Sequence, residues 1–225
     1  MKQRKRIPWG QVIGVGLSLA MGVGCGVVLT SWFDRCPAGV SRPLWALGLA
    51  AAFLLALLAQ ITLHEGGHLV CGLLSGYRFC SFRVGSLMWM KVDGHLRLRR
   101  LRLAGTDGQC LMSPPDMVDG RLPVTLYNFG GALANLLTAV LALALYGPAR
   151  RVPLLAAFLL FLAVIGSFTA AMNGIPLRLG NIDNDGRNAL SLGHDPAALR
   201  AFWVQMKAAE AQARGLRLRE MPEDW

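Results

Sequence analysis

The sequence predicts an all-α polytopic membrane protein: about four transmembrane helices, a cytoplasmic β-hairpin loop and an interfacial C-terminal helix. Three observations predict it. Four stretches, at roughly 9–33, 43–75, 124–147 and 153–175, stay apolar over the 20 or so residues that a helix needs to cross a bilayer. Charged residues make up only 16% of the chain, against about 25% in a typical soluble domain, and the mean hydropathy is +0.43. The charge is also segregated, because the arginines crowd into the tails and one loop while the apolar stretches carry almost none.

Residues 1–8 form a basic tail, Met1-Lys2-Gln3-Arg4-Lys5-Arg6 leading into the first span. That span is too long for a signal-peptide core and lacks a small-residue cleavage site, so it is expected to be retained. The second span, 33 residues at 1.5 Å each, reaches about 50 Å and must tilt or carry its last turns beyond the hydrocarbon. Loop 76–123 contains a predicted hairpin with strands Phe82–Val92 and Leu96–Leu103 around the turn Asp93-Gly94. Its second strand alternates apolar and basic residues and then slips phase at Arg99-Arg100, which predicts a bulge there. Residues 104–115 read as a turn-rich return to the third span, with Gly105 and Gly108 permitting close backbone approach. Pro176 ends the fourth span. In the tail, 187–225, Asp195-Pro196 supplies an N-cap and a proline at the first helical position. Leu199, Phe202, Trp203 and Met206 then follow at helical spacing, which predicts a helix lying in the headgroup layer, with partner binding as the other use of its apolar face.

Loop charge predicts the topology. With both termini cytoplasmic, 19 of the 23 Lys and Arg residues lie inside and only Arg35, Arg42, Arg150 and Arg151 lie outside. The expected location is a bacterial-type plasma membrane. The net charge of +10 comes without a nucleic-acid recognition motif, so anionic lipids are the expected partner and nucleic acid is not. Five cysteines, odd in number and scattered, make no disulfide framework or zinc knuckle.

Within the second span stands His64-Glu65-Gly66-Gly67-His68. H-E-x-x-H on a helix places two imidazoles on one face for a single Zn²⁺, with the glutamate within reach of a water as general base. Ionisable residues at membrane depth are costly, which favours a functional role over a paired structural one. A tetrahedral zinc with one water needs a third protein ligand. Behind Pro176, Asp183 and Asp185 are both placed to fold back toward the histidines.

Taken together, H-E-x-x-H in one span, G-x-x-x-N (Gly131 to Asn135) in the next, and N-x-x-P (Asn173 to Pro176) followed by D-G (Asp185-Gly186) resemble the site-2 protease family of intramembrane zinc metalloproteases. The motifs occur in that family's order and their spans cover over half of the chain, within a membrane-embedded core at 9–186 without a PDZ-like insert. The resemblance implies His64, His68 and Asp185 as zinc ligands, Glu65 as base, and Asn135 and Asn173 as residues that position the substrate backbone or its oxyanion. One departure is that Asp185 lies nine residues after Pro176, where the family has about five; this leaves Asp183 as a rival ligand. Asn135 equally suits an interhelical hydrogen bond among small residues, and Asn173 a helix cap. Cys110 is read as a packed thiol rather than a mask on the metal, and His95 and His194 as solvated.

The expected activity is hydrolysis of membrane-spanning or signal-peptide-like peptides near the cytoplasmic face. The hairpin loop would serve either to pair with an extended substrate segment or to anchor in the interface. The alternative class is a zinc-binding membrane scaffold without turnover, which would need the ligands but not Glu65. A small transporter fits poorly, because the hydropathy shows no inverted repeat.

Overall fold

A computed structural model describes residues 8–92, 95–101 and 108–222. Four helices are long and apolar enough to cross a membrane: α1 (Trp9–Phe33), α2 (Arg42–Leu74), α3 (Val124–Ala149) and α4 (Pro153–Gly174). Their bounds lie within two residues of the predicted spans. Leu54, Leu55 and Leu58 on α2 and Leu137, Val140 and Leu141 on α3 are at least half exposed. A soluble protein seldom leaves so much contiguous apolar surface open, so these helices suggest a membrane protein. The basic tail lies outside the described residues.

The chain divides into two compact units. One comprises residues up to Gln60 together with Asn135–Arg187. Its core joins Val28 and Trp32 of α1, Trp45, Leu49, Ala52 and Ala56 of α2, and Ala156, Ala157, Phe161 and Ile165 of α4. Small residues set the spacing: a Cβ at Gly24 would stand 2.9 Å from the Val164 side chain. Trp45 Nε1 donates to the Trp32 carbonyl at 2.9 Å, so the one polar atom of that buried indole is satisfied. A polar knot interrupts this apolar packing. Gln60 is 1% exposed and donates to the Leu162 carbonyl at 2.8 Å, while its own oxygens accept from Asn135 and Thr138. A fully satisfied amide network of this kind fixes helix register where apolar contacts alone would tolerate sliding.

The other unit comprises Ile61–Ala134 and the chain from Asn188 onward. Its sheet has four antiparallel strands in the order β3-β2-β1-β4, with β1 Arg78–Val84, β2 Leu87–Val92, β3 His95–Arg100 and β4 Gly108–Ser113. An all-α description is therefore incomplete, and the single predicted hairpin is corrected in three respects. The predicted strand Phe82–Val92 breaks at Gly85, whose φ of +57° favours glycine, and folds into two strands paired Val84 to Leu87. The expected bulge at Arg99-Arg100 is absent, since β2 and β3 pair in unbroken register from Leu87–Arg100 to Val92–His95; the irregularity falls instead between Phe79 and Ser81, against β4. And the return segment is not all turn, for Gly108–Ser113 forms β4. The turn Asp93-Gly94 lies outside the described residues.

Tyr77 stacks on Tyr127 of α3 with ring centroids 4.6 Å apart, and with Met112 and Met206 they form the core beneath the sheet. The tail helix α6 (Pro196–Ala213) starts as predicted, Asp195 accepting from the backbone of Ala197 and Ala198. Its apolar face is not free for a headgroup layer. Leu199 and Met206 are buried, and Trp203 Nε1 donates to the Pro115 carbonyl at 2.9 Å. The periodicity identified the face correctly, but burial against Leu122, Val124 and Met112 takes the place that lipid was expected to fill. Helical periodicity reports that a face is apolar, not what covers it.

Candidate metal centre

The histidine half is built by α2 and α3. Glycines allow these two helices to touch backbone to backbone, since a Cβ at Gly67 would overlap the Gly130 carbonyl and one at Gly130 the Gly67 carbonyl. One residue on, a Cβ at Gly131 would overlap the His64 ring. The glycine of G-x-x-x-N thus makes room for the first imidazole. His68, 8% exposed, has Nδ1 at 2.9 Å from the Tyr127 carbonyl. A carbonyl only accepts, so Nδ1 is the donor and Nε2 is the ring nitrogen turned toward His64. This is the outer partner by which a metal-ligating histidine is usually held. His68 Nε2 lies 3.2 Å from His64 Nε2, with the rings nearly perpendicular at 81°.

Glu65 lies on the same turn of α2. A Cβ at Gly108 would stand 2.8 Å from both Cγ and Oε1 of Glu65, so the first residue of β4 rests against this carboxylate. Cys110 is buried two residues further along β4. Burial first, then the Glu65 and Cys80 charges, push its thiol up to about 12, which disfavours a thiolate and supports the packed reading.

The carboxylate half is built where α4 ends. After Pro176 the chain makes a short hairpin of β5 (Arg178–Leu179) and β6 (Ile182–Asp183), turning at Gly180 with φ of +69°. The residues that lengthen the spacing between proline and D-G are this hairpin, which leaves and returns to the same place. Asn184 then ties the return: its Nδ2 donates to the Met172 and Ile175 carbonyls at 2.6 and 2.7 Å, and its Oδ1 accepts from the backbone of Leu177 and Arg187. It thereby caps the short helix α5 (Asp185–Ser191), whose first residue is Asp185. Gly186 packs so close to α4 that a Cβ would overlap the Gly174 carbonyl, which explains the glycine of D-G. Asp183 is occupied otherwise, with Arg187 Nε at 3.0 Å and Arg178 Nε at 3.8 Å.

Among the described residues, one ligand atom each of His64, His68 and Asp185 lie within 4.8 Å of one another, a group that could hold a metal ion. Asn135 is fully buried and spends its Nδ2 hydrogens on the Gln60 carbonyl and side-chain oxygen, the interhelical bond of the packing reading. Asn173 Nδ2 donates to the Thr169 carbonyl of its own helix at 3.0 Å. Sequence reasoning missed Gln60 and Asn184. A lone glutamine in an apolar span was a visible signal for the first, and the Asn immediately before Asp185-Gly186 an available N-cap for the second. No family model, curated protein or solved structure matches this chain.

Proposed function

We propose that this protein is an intramembrane zinc endopeptidase of the site-2 protease type, cutting membrane-spanning or signal-peptide-like segments near the cytoplasmic face of a bacterial-type plasma membrane. The observation that carries the reading is the convergence of His64, His68 and Asp185 beside a retained Glu65. The donor set fits zinc: Zn–N bonds of about 2.0–2.1 Å in a tetrahedron put neighbouring ligands about 3.3–3.4 Å apart, close to the 3.2 Å between the two Nε2 atoms. Two imidazoles and a carboxylate are also the donor set that catalytic rather than structural zinc sites use.

Zinc held by His64, His68 and Asp185 would supply Lewis-acid chemistry, polarising a substrate carbonyl and acidifying a water. Glu65 would serve as the base that takes a proton from water and as the acid that gives it to the leaving amine. His68 stays in its ligating tautomer through the Tyr127 carbonyl. Asn135 acts on the frame, locking α3 to α2 through Gln60, rather than on an oxyanion. Strand β4 ends the sheet, and Gly108 rests against Glu65. A substrate segment that pairs along this edge arrives extended, with its peptide bonds exposed to attack.

The test is cleavage of candidate single-span peptides by purified protein in liposomes. Cleavage is expected to stop with a zinc chelator and to return on adding zinc. Chelator-insensitive cleavage would refute the proposal, and stoichiometric zinc without any cleavage would favour the scaffold.

A further inference from the structure

Toward the start of α2, a cleft of about 560 Å³ opens between α1 and α2, with Phe161 of α4 at its back. Its walls include Gly26, Leu29 and Phe33 of α1 and Ala46 and Ala50 of α2. Small residues make the space, since a Cβ at Gly26 would meet nothing within 4 Å and Ala50 is exposed. Leu29 is 42% exposed, so the cleft opens sideways. Packed interiors leave few voids larger than a water molecule, and an opening of this size between adjoining helices calls for an occupant.

Length and polarity indicate which one. On α1 the lining residues run from Cys25 to Asp34, about 14 Å at the helical rise of 1.5 Å per residue. Half of a hydrocarbon core about 30 Å thick is about 15 Å. Both helices are long and apolar enough to cross a bilayer, so the cleft runs along the membrane normal, as an acyl chain does. Thr30, on the same wall, keeps its hydroxyl hydrogen within the helix, donating to the Gly26 and Val27 carbonyls at 2.9 and 3.2 Å.

The apolar walls end at a charge. Asp34, the C-cap of α1, lines the mouth with an exposed carboxylate, and among the described residues no side chain pairs with it. Arg35 follows, with its guanidinium 5.1 Å from the centroid of the Trp32 ring. An anion and a cation on adjacent residues at the end of a span match a zwitterionic head, ammonium to Asp34 and phosphate to Arg35. The chain's net charge of +10 attracts anionic lipid in general, so an acid at this mouth is a local departure that selects for an ammonium group.

We propose that this cleft binds one phospholipid with a primary ammonium head, phosphatidylethanolamine, with an acyl chain along Gly26, Ala46 and Ala50 and the ammonium on Asp34. An apolar groove alone does not distinguish one lipid from its neighbours, because lipid tails are as apolar as the helices. Selectivity therefore rests on Asp34, and retention on the shape of the cleft. The proposal stands on the membrane-spanning reading of α1 and α2 and not on the peptidase reading.

The experiment reconstitutes the full-length protein in bilayers of equal phosphatidylethanolamine, phosphatidylglycerol and phosphatidylcholine, and identifies retained lipids by native mass spectrometry. Wild type is expected to keep one phosphatidylethanolamine per chain, favoured about 3–5-fold over either other lipid, the scale of an exposed ion pair. Asp34→Asn is expected to keep a lipid but lose the preference. Gly26→Leu fills the cleft and is expected to lower retention about 10-fold, equivalent to about two methylenes kept out of contact. A wild type without retained lipid, without preference for phosphatidylethanolamine, or carrying a second copy of the chain in its place would overturn the proposal. Unchanged retention in Gly26→Leu or unchanged preference in Asp34→Asn would do the same. Should Gly26→Leu fail to fold, Ala50→Leu fills the cleft from the facing helix at an exposed position, and the same loss is expected; wild-type retention there would overturn the proposal. Cleavage is not read in this experiment, so none of these outcomes bears on the peptidase reading.

Discussion

Glu65→Gln is expected to lower kcat by roughly 10²–10⁴-fold, the usual contribution of a positioned general base, while bound zinc is unchanged. The amide keeps the shape of the carboxylate but cannot take a proton from water. Glu65 is not one of the three grouped ligand residues, so metal binding has no direct reason to follow it. Loss of zinc in this variant would mean that Glu65 is itself a ligand, and undiminished cleavage would mean that the base lies elsewhere. The measurement is single-turnover cleavage in liposomes with zinc quantified on the same samples.

Asp185→Ala is expected to weaken zinc binding by more than the 10–100-fold that loss of an outer partner costs, and to abolish cleavage at micromolar zinc. Asp183→Ala is the control that distinguishes the two aspartates. Its carboxylate is engaged by Arg187 and Arg178, so its removal should change zinc affinity by less than about 3-fold and affect only the small hairpin. Competition against a fluorescent chelator reads both. Equal affinity in wild type and Asp185→Ala would exclude Asp185 as the third ligand, and a large loss in Asp183→Ala would transfer that role to Asp183.

Much of this was legible in the residues, for physical reasons. Apolar length identified α1 to α4 within two residues at each end, because a helix that faces hydrocarbon must be apolar on its outer surface for its whole length. The i, i+4 spacing of His64 and His68 fixed their shared face before any fold was known. What pattern could not reach was pairing at a distance. Strand β4 has too little alternation to announce itself, and it forms because β1 offers it a partner. The burial of Arg83 was not legible, because charge alone does not say where a strand's neighbours will close over it. The apolar face of α6 was visible, but its cover, Leu122 and Val124, lies more than 60 residues earlier. The placing of Asp185 in the group that could hold a metal ion depends on two local devices, the β5–β6 return and the Asn184 cap, each of which uses bonds that spacing does not encode.

The central claim, that His64, His68 and Asp185 bind one zinc ion, is tested most directly by zinc K-edge absorption on the purified protein loaded with one equivalent. The account predicts only nitrogen and oxygen neighbours in a four-coordinate shell, with two imidazoles at about 2.0–2.1 Å that fall to one in His68→Ala. A sulfur neighbour near about 2.3 Å, or a six-coordinate shell without imidazole scattering, would contradict it.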